Sequence, residues 1–208
     1  MARVDVKRLL IVLAACSSTP AAMTSPDGGG GSNTGSGSNT GSGSSSHTAL
    51  YPLAVGNTWT YDVAIVGAGS TCSPGTSSQT VQSANAVGGR AAYQVTDFCT
   101  ALAGETYDYS TPGGDEVDFY YGSDWLELID PTLVDGESWN YANTSYTWKR
   151  ETSVTVPAGS YDDCWTANQN VSYTAYSTYC RGAGLVESYS ADLTGAGWDA
   201  KLASVQLQ

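Results

Sequence analysis

From Trp59 onward the apolar residues fall on every second position, and this period constrains the fold more than any other feature of the chain. Trp59, Tyr61, Val63 and Ile65 point one way, while Thr58, Thr60, Asp62 and Ala64 point the other. The same period returns at Val117, Phe119 and Tyr121, at Trp139 and Tyr141, and at Tyr146, Trp148 and Arg150. Later come Val154 with Val156, Val171 with Tyr173, and a last run from Trp198 to Leu207. Turn signals separate these runs at Gly67 to Gly69, Gly88-Gly89, Pro112 to Gly114, Asp135-Gly136, Pro157 to Gly159 and Gly195 to Gly197. Side chains alternate across a pleated strand, so short alternating runs with turn residues between them predict antiparallel β structure. No stretch holds a 3.6-residue apolar period over three turns. The reading is an all-β domain of about 8–10 strands, a curved antiparallel sheet or partly closed β-barrel, with a two-sheet β-sandwich as the alternative.

The domain spans residues 50–208, long enough to bury roughly two-thirds of its unfolded surface. Before it, residues 16–49 are built from Ser, Thr, Gly, Asn and Pro, and the hexapeptide from Asn33 to Ser38 repeats letter for letter from Asn39 to Ser44. So few apolar side chains cannot offset the entropy of ordering, and a disordered tether is expected. About 33 flexible residues reach roughly 30 Å. His47, the one histidine, lies in this tract and is expected to be solvated.

Residues 1–15 have the pattern of a signal peptide, with Arg3, Lys7 and Arg8 ahead of the apolar run Leu9 to Ala15. Seven residues of helix cover about 10 Å, well short of a ~30 Å hydrocarbon core. The run closes on Leu13-Ala14-Ala15-Cys16. That resembles the lipobox of bacterial lipoproteins, and the resemblance implies cleavage before Cys16 and attachment of a diacylglyceryl group to its thiol. Two or three acyl chains at ~0.8 kcal/mol per buried CH₂ hold a protein firmly at a membrane. Ser17 and Ser18 follow with no Asp beside the cysteine, so outer-membrane sorting in a Gram-negative cell is expected.

The chain holds five cysteines, an odd number that needs explaining in an exported protein. One lipidated at Cys16 and four paired accounts for it. Cys72 and Cys99 flank the Gly88-Gly89 turn, and Cys164 and Cys180 flank the stretch from Asn170 to Tyr173. Residues on either side of a turn meet across a hairpin, which favours Cys72–Cys99 and Cys164–Cys180. Loops of roughly 28 and 17 residues would each contribute about 3 kcal/mol in the chain-entropy model. A zinc site would need CxxC-like spacing, which is absent.

Three blocks carry a family resemblance. The first is Pro52 to Tyr61 (PLAVGNTWTY). The second is Val156 to Tyr161 (VPAGSY), with Cys164 close behind, and the third is Gly182 to Val186 (GAGLV). Together they resemble the TapB-like lipoprotein domain family, in which Ala183 stands where a valine is usual. The resemblance implies a curved antiparallel β fold and brings no catalytic residues with it.

Charge and composition narrow the function. Eight Lys and Arg face twenty Asp and Glu, a net charge of −12, which excludes an electrostatically driven nucleic-acid binder. The acidic group Asp115, Glu116, Asp118, Asp124, Glu127 and Asp130 could in principle hold Ca²⁺, but strand neighbours diverge, and a solvated acidic edge is the expectation. Asp162-Asp163 reads as loop solvation. There is no G-x-S-x-G motif or phosphate-binding glycine loop, so no catalytic, metal or cofactor residues are assigned. Tyr (14) and Trp (6) far outnumber Phe (2), a balance that suits half-exposed recognition surfaces. Trp125, Trp148 and Trp165 are the candidate ligand-facing aromatics. The expected function is a lipid-anchored, non-enzymatic cell-envelope protein with a structural or interaction role, its partners being the membrane and an envelope protein or glycan. The alternative is a ligand-binding module for a carbohydrate or hydrophobic molecule, followed by a carboxylate-dependent hydrolase.

Overall fold

Alternation becomes strand after strand in the computed structural model, which describes residues 49–208 except 69, 71, 100–104 and 142–143. The signal peptide, Cys16, the tether through residue 48 and His47 lie outside the described residues. The strands are β1 (Thr58–Val66), β2 (Gly75–Val87), β3 (Arg90–Thr96), β4 (Thr106–Ser110), β5 (Val117–Tyr121), β6 (Asp124–Ile129) and β7 (Ser138–Tyr141). They continue with β8 (Thr144–Glu151), β9 (Val154–Val156), β10 (Gly159–Tyr161), β11 (Cys164–Gln169), β12 (Thr174–Cys180), β13 (Gly184–Ala191) and β14 (Gly197–Gln206). No helix occurs among the described residues. Twelve strands form one antiparallel sheet in the order β6-β5-β4-β3-β2-β1-β14-β13-β12-β11-β8-β7, and β9 pairs with β10 as a separate hairpin. The sheet curls into a nearly closed barrel whose unsealed seam lies between β6 and β7.

The strand count exceeds the sequence expectation for identifiable reasons. β10 has three residues, too few to display a period, whereas β9, equally short, is the alternating pair Val154 and Val156. β2 is thirteen residues of mostly small polar side chains, of which only Gln79 and Val81 are buried. Its register shifts between Val81 and Ser83 as it crosses to β3, and β-bulges of this kind bend a strand and increase its twist. Val171 and Tyr173, expected to form a strand, lie instead in the β11–β12 turn. There the even spacing of two apolar residues reflects chance rather than a pleat.

The concave side of the sheet is the core. Trp59, Tyr61, Val63, Val81, Val95, Val117, Ile129, Trp139, Trp148, Ala200 and Leu202 are buried there, with Leu50, Tyr51 and Leu53 of the entry segment packed into the same cluster. Several polar groups on these residues find partners. Trp59 Nε1 donates to Ala183 O at 2.6 Å, Tyr61 OH to Leu185 O at 3.0 Å, and Tyr51 OH to Gln79 Oε1 at 2.6 Å. The block at Gly182 to Val186 is explained by this packing. A Cβ on Gly184 would sit 2.9 Å from Trp59 Nε1 and 3.0 Å from Tyr51 Cδ2, at a φ of +88° that L side chains rarely adopt. The first block is explained by Asn57, fully buried, whose Nδ2 donates to Pro52 O at 2.7 Å while its Oδ1 accepts from Gln208 N at 2.9 Å. One side chain thus joins the beginning and the end of the domain.

Both expected disulfides form, Cys72–Cys99 and Cys164–Cys180. Cys164 and Cys180 are register partners across the β11–β12 ladder, as equal spacing about the turn requires. Cys72 and Cys99 lie outside the strands, Cys72 in the β1–β2 connection and Cys99 after β3. That pairing fastens two loops and does not bridge opposed residues of a hairpin.

Candidate functional site

The three tryptophans singled out from the sequence separate in space. Trp148 and Trp165 are core residues, 1% and 7% exposed, and do not face an open binding surface. The reason is the pleat. Trp148 stacks on Trp139 with ring centroids 4.4 Å apart, and Trp165 meets Trp148 edge-on at 6.3 Å. Trp125 alone is half-exposed. It packs on Tyr120 at 5.0 Å, beneath the Arg90 guanidinium at 5.5 Å, and its Nε1 donates to Gly88 O at 3.4 Å. The buried indole N–H groups of Trp139, Trp148 and Trp198 have no acceptor among the described residues.

The expected acidic edge is also partly redistributed. Asp118 is 5% exposed and ion-paired with Arg90. Asp115 accepts Arg181 Nη1 on both oxygens, at 2.8 and 2.9 Å, and Leu50 N at 2.8 Å. Asp163 accepts Arg181 Nε at 2.8 Å, and that contact holds its carboxyl below the usual range. Asp115, Asp118 and Asp163 therefore act as structural ties, since a partly buried carboxylate needs a paired cation and hydrogen bonds. Arg181 fastens the entry segment and the β4–β5 loop to the end of the β11–β12 ladder. Among the described residues no group of three or more His, Cys, Asp and Glu converges as metal ligands would.

The most developed recess among polar residues lies on the convex face, across β8, β11, β12 and β13. It is a groove of about 440 Å³, bordered at one end by Ser153 to Thr155 and floored by Thr166 and Thr178. These two threonines are buried, at 6% and 2% exposure, and their hydroxyls hydrogen-bond at 2.9 Å. On one side Lys149 Nζ lies 2.8 Å from Glu151 Oε1, which also accepts from Thr166 Oγ1 at 3.3 Å. The lysine is held charged by this contact, which raises its pKa. On the other side Tyr176 OH donates to Glu187 Oε1 at 3.3 Å, and Lys201 Nζ lies 3.7 Å from the same oxygen. Burial and the Glu187 carboxylate push the Tyr176 hydroxyl up to about 12. Its ring stacks on Tyr189 at 5.4 Å and 12°.

Sequence reasoning missed Lys149, Glu151, Asn168, Tyr176 and Glu187 as a group. Each is an outward residue of its strand, but only the register brings them together. Cross-strand pairs link Lys149 to Thr166, Thr166 to Thr178, Thr178 to Glu187 and Glu187 to Lys201.

No family model matches the chain, so the TapB-like resemblance rests on the three motif blocks alone. No curated relative matches either. Two solved structures show a distant likeness. One is a protein from Parabacteroides distasonis described as a lipoprotein, 13% identical, with a TM-score of 0.44 over 76% of this chain and 99% of its own. The other is a protein from Bacteroides fragilis described as an exported protein with a YmcC-like fold, 12% identical, with a TM-score of 0.43 over 77% of this chain and 100% of its own.

Proposed function

We propose that this chain is an exported, lipid-anchored cell-envelope protein with a non-enzymatic structural or interaction role, held at the outer membrane of a Gram-negative bacterium. The observation that carries the reading is the allocation of cysteines. The barrel uses Cys72, Cys99, Cys164 and Cys180 in two disulfides, which leaves Cys16 of the LAAC sequence as the one thiol for acylation. Disulfides persist in oxidising compartments, in keeping with export. The tether of residues 16–49 would then present the barrel away from the headgroups, with Asp115, Arg181 and Asn57 fastening the point at which it enters.

The test is intact mass and labelled-palmitate incorporation for the protein expressed in a Gram-negative host, beside Cys16→Ser. Acyl mass on the wild type, absent from Cys16→Ser, with four hydrogens missing from the remaining cysteines, is the expected result. A freely secreted, unacylated wild type would overturn the anchor.

A second reading, an envelope ligand-binding module, is favoured by the groove on the convex face. The concave side is occupied by the aromatic core.

A further inference from the structure

We propose that the convex groove is a binding site for a neutral, polyhydroxylated ligand, a short glycan. The inference rests on the groove's own chemistry and is independent of lipid attachment.

The volume comes first. About 440 Å³ falls within the ~300–1,000 Å³ usual for small-molecule sites. Two observations then bear on what could fill it. Apart from Val154 and the Tyr176 ring the lining is polar, from the Thr166–Thr178 hydroxyl pair to Asn168, Lys149, Glu151 and Glu187, which disfavours an apolar guest that would desolvate these groups without replacing their hydrogen bonds. The charges nearly cancel. Lys149 and Lys201 stand against Glu151, Glu187 and Asp199, and each lysine lies within 4 Å of at least one carboxylate. An anion would meet a net negative wall. A divalent cation would have to displace ammonium groups already held by the glutamates.

What remains is a guest that both donates and accepts. The groove is equipped for this. Glu151 and Glu187 each commit Oε1 to protein partners, and among the described residues Oε2 of each has none. The Asn168 amide, one donor group and one acceptor on a single plane, also lines the groove and has no side-chain partner among the described residues. Lys149 has three N–H donors and a single carboxylate contact. Carboxylate, amide and ammonium groups lining one groove suit adjacent hydroxyls of a sugar ring, which offer a donor and an acceptor at each carbon.

Tyr176 supplies the apolar element. Tyr189 stacks on one face of its ring, and Tyr176 lines the groove while Tyr189 does not. A ring fixed by stacking and by its hydroxyl bond to Glu187 presents a rigid surface to the C–H face of a sugar at little entropic cost. The buried Thr166–Thr178 bond gives the floor a fixed polarity, so the site is formed before any ligand arrives.

The experiment uses the full chain carrying Cys16→Ser, titrated by calorimetry with neutral di- to tetrasaccharides of glucose, galactose, mannose and N-acetylglucosamine, beside their sialylated or phosphorylated counterparts. The proposal expects at least one neutral saccharide to bind with a Kd tighter than about 1 mM. Tyr176→Ala and Asn168→Ala should each weaken that binding tenfold or more. Tyr176→Phe, which keeps the ring, should weaken it less, and Trp125→Ala, at a half-exposed aromatic that does not line the groove, should leave it unchanged. Unchanged melting temperatures establish that the variants are folded. No binding across the neutral panel, binding of the anionic sugars only, or binding lost with Trp125→Ala and retained with Tyr176→Ala would each overturn the proposal.

Discussion

Along β8, β11, β12, β13, β14 and β1, two rows of side chains one residue out of step occupy opposite faces of the same strands. The inner row is Trp148, Ala167, Ser177, Ser188, Ala200 and Val63; the outer row is Lys149, Thr166, Thr178, Glu187, Lys201 and Asp62. Backbone, twist and hydrogen-bond ladder are shared, so the difference between the rows is purely one of side-chain chemistry. In the inner row one large indole faces a line of small residues, and the space it fills could not be filled by another large side chain in the next strand. In the outer row each cation has an acid within reach, and two hydroxyls meet at the centre. The inner row holds the barrel together. The outer row makes a surface whose hydrogen-bonding capacity is only partly used by the protein itself.

The comparison is broken or sharpened by substitution, beginning with the inner row. Trp148→Ala should cost about 3–5 kcal/mol, because the neighbouring strands cannot collapse into the space left by a fully buried indole. Urea denaturation measures it, and a loss under 1 kcal/mol would mean that the inner row is not the structural one.

Removal of the disulfides comes next. Each double replacement by Ala should cost about 3 kcal/mol, with the larger loss for Cys164 and Cys180. Both of these are fully buried within the ladder, whereas Cys72 is 7% exposed and joins loops. Thermal unfolding of the two variants ranks them, and the reverse order would show that loop closure outweighs core packing here.

Acid titration should reveal two opposed contributions. Asp163 is held below its ordinary value of 3.8 by Arg181, so its share of stability is present above that value and is lost as pH falls through the lowered folded value. Asp97 is raised above 3.8 by burial, so its share is present below that value and is lost as pH rises through the raised folded value. Stability should therefore peak in mild acid. Asp97→Asn should flatten the decline above the peak, and Arg181→Leu should flatten the fall below it. Urea unfolding series across pH 3 to 8 would detect either slope; curves unchanged by both substitutions would contradict the assignment.

The smallest effect belongs to the outer row. Lys149, whose side chain is 63% exposed, should be replaceable by Ala within about 0.5 kcal/mol, as for most exposed ion pairs.

How far the sequence was legible follows the same division. Alternation reports which residues of a single strand share a face, so β1, β5, β7, β8, β9 and β14 could be read directly. Cys164–Cys180 was legible because its spacing about a turn is symmetric. Cys72–Cys99 was reached by the same reasoning although its geometry is different, a correct pairing for which hairpin symmetry was not the cause. β2 could not be read, because its polar small residues give no period and its place is fixed by β1 and β3 on either side. Trp148 and Trp165 were read as candidates for an open face because their neighbours are polar, yet polar neighbours are what a core residue has on a pleated strand. The groove was beyond reach for a further reason. Lys149, Glu187 and Lys201 belong to three strands, and they meet only when four successive registers are known, one of them shifted by a bulge between Thr178 and Tyr179.

The direct test of the division between the rows is the double variant Glu151→Gln with Glu187→Gln, which keeps shape and removes one outer-row charge and that of the carboxylate paired with Lys149. Unfolding free energy and affinity for the best-bound neutral saccharide should be measured on the same preparation. Stability within about 1 kcal/mol of the parent, with saccharide binding weakened tenfold or more, is the result predicted for a surface kept for recognition. A loss of several kcal/mol with binding intact would contradict it, and would make the outer row a second structural face.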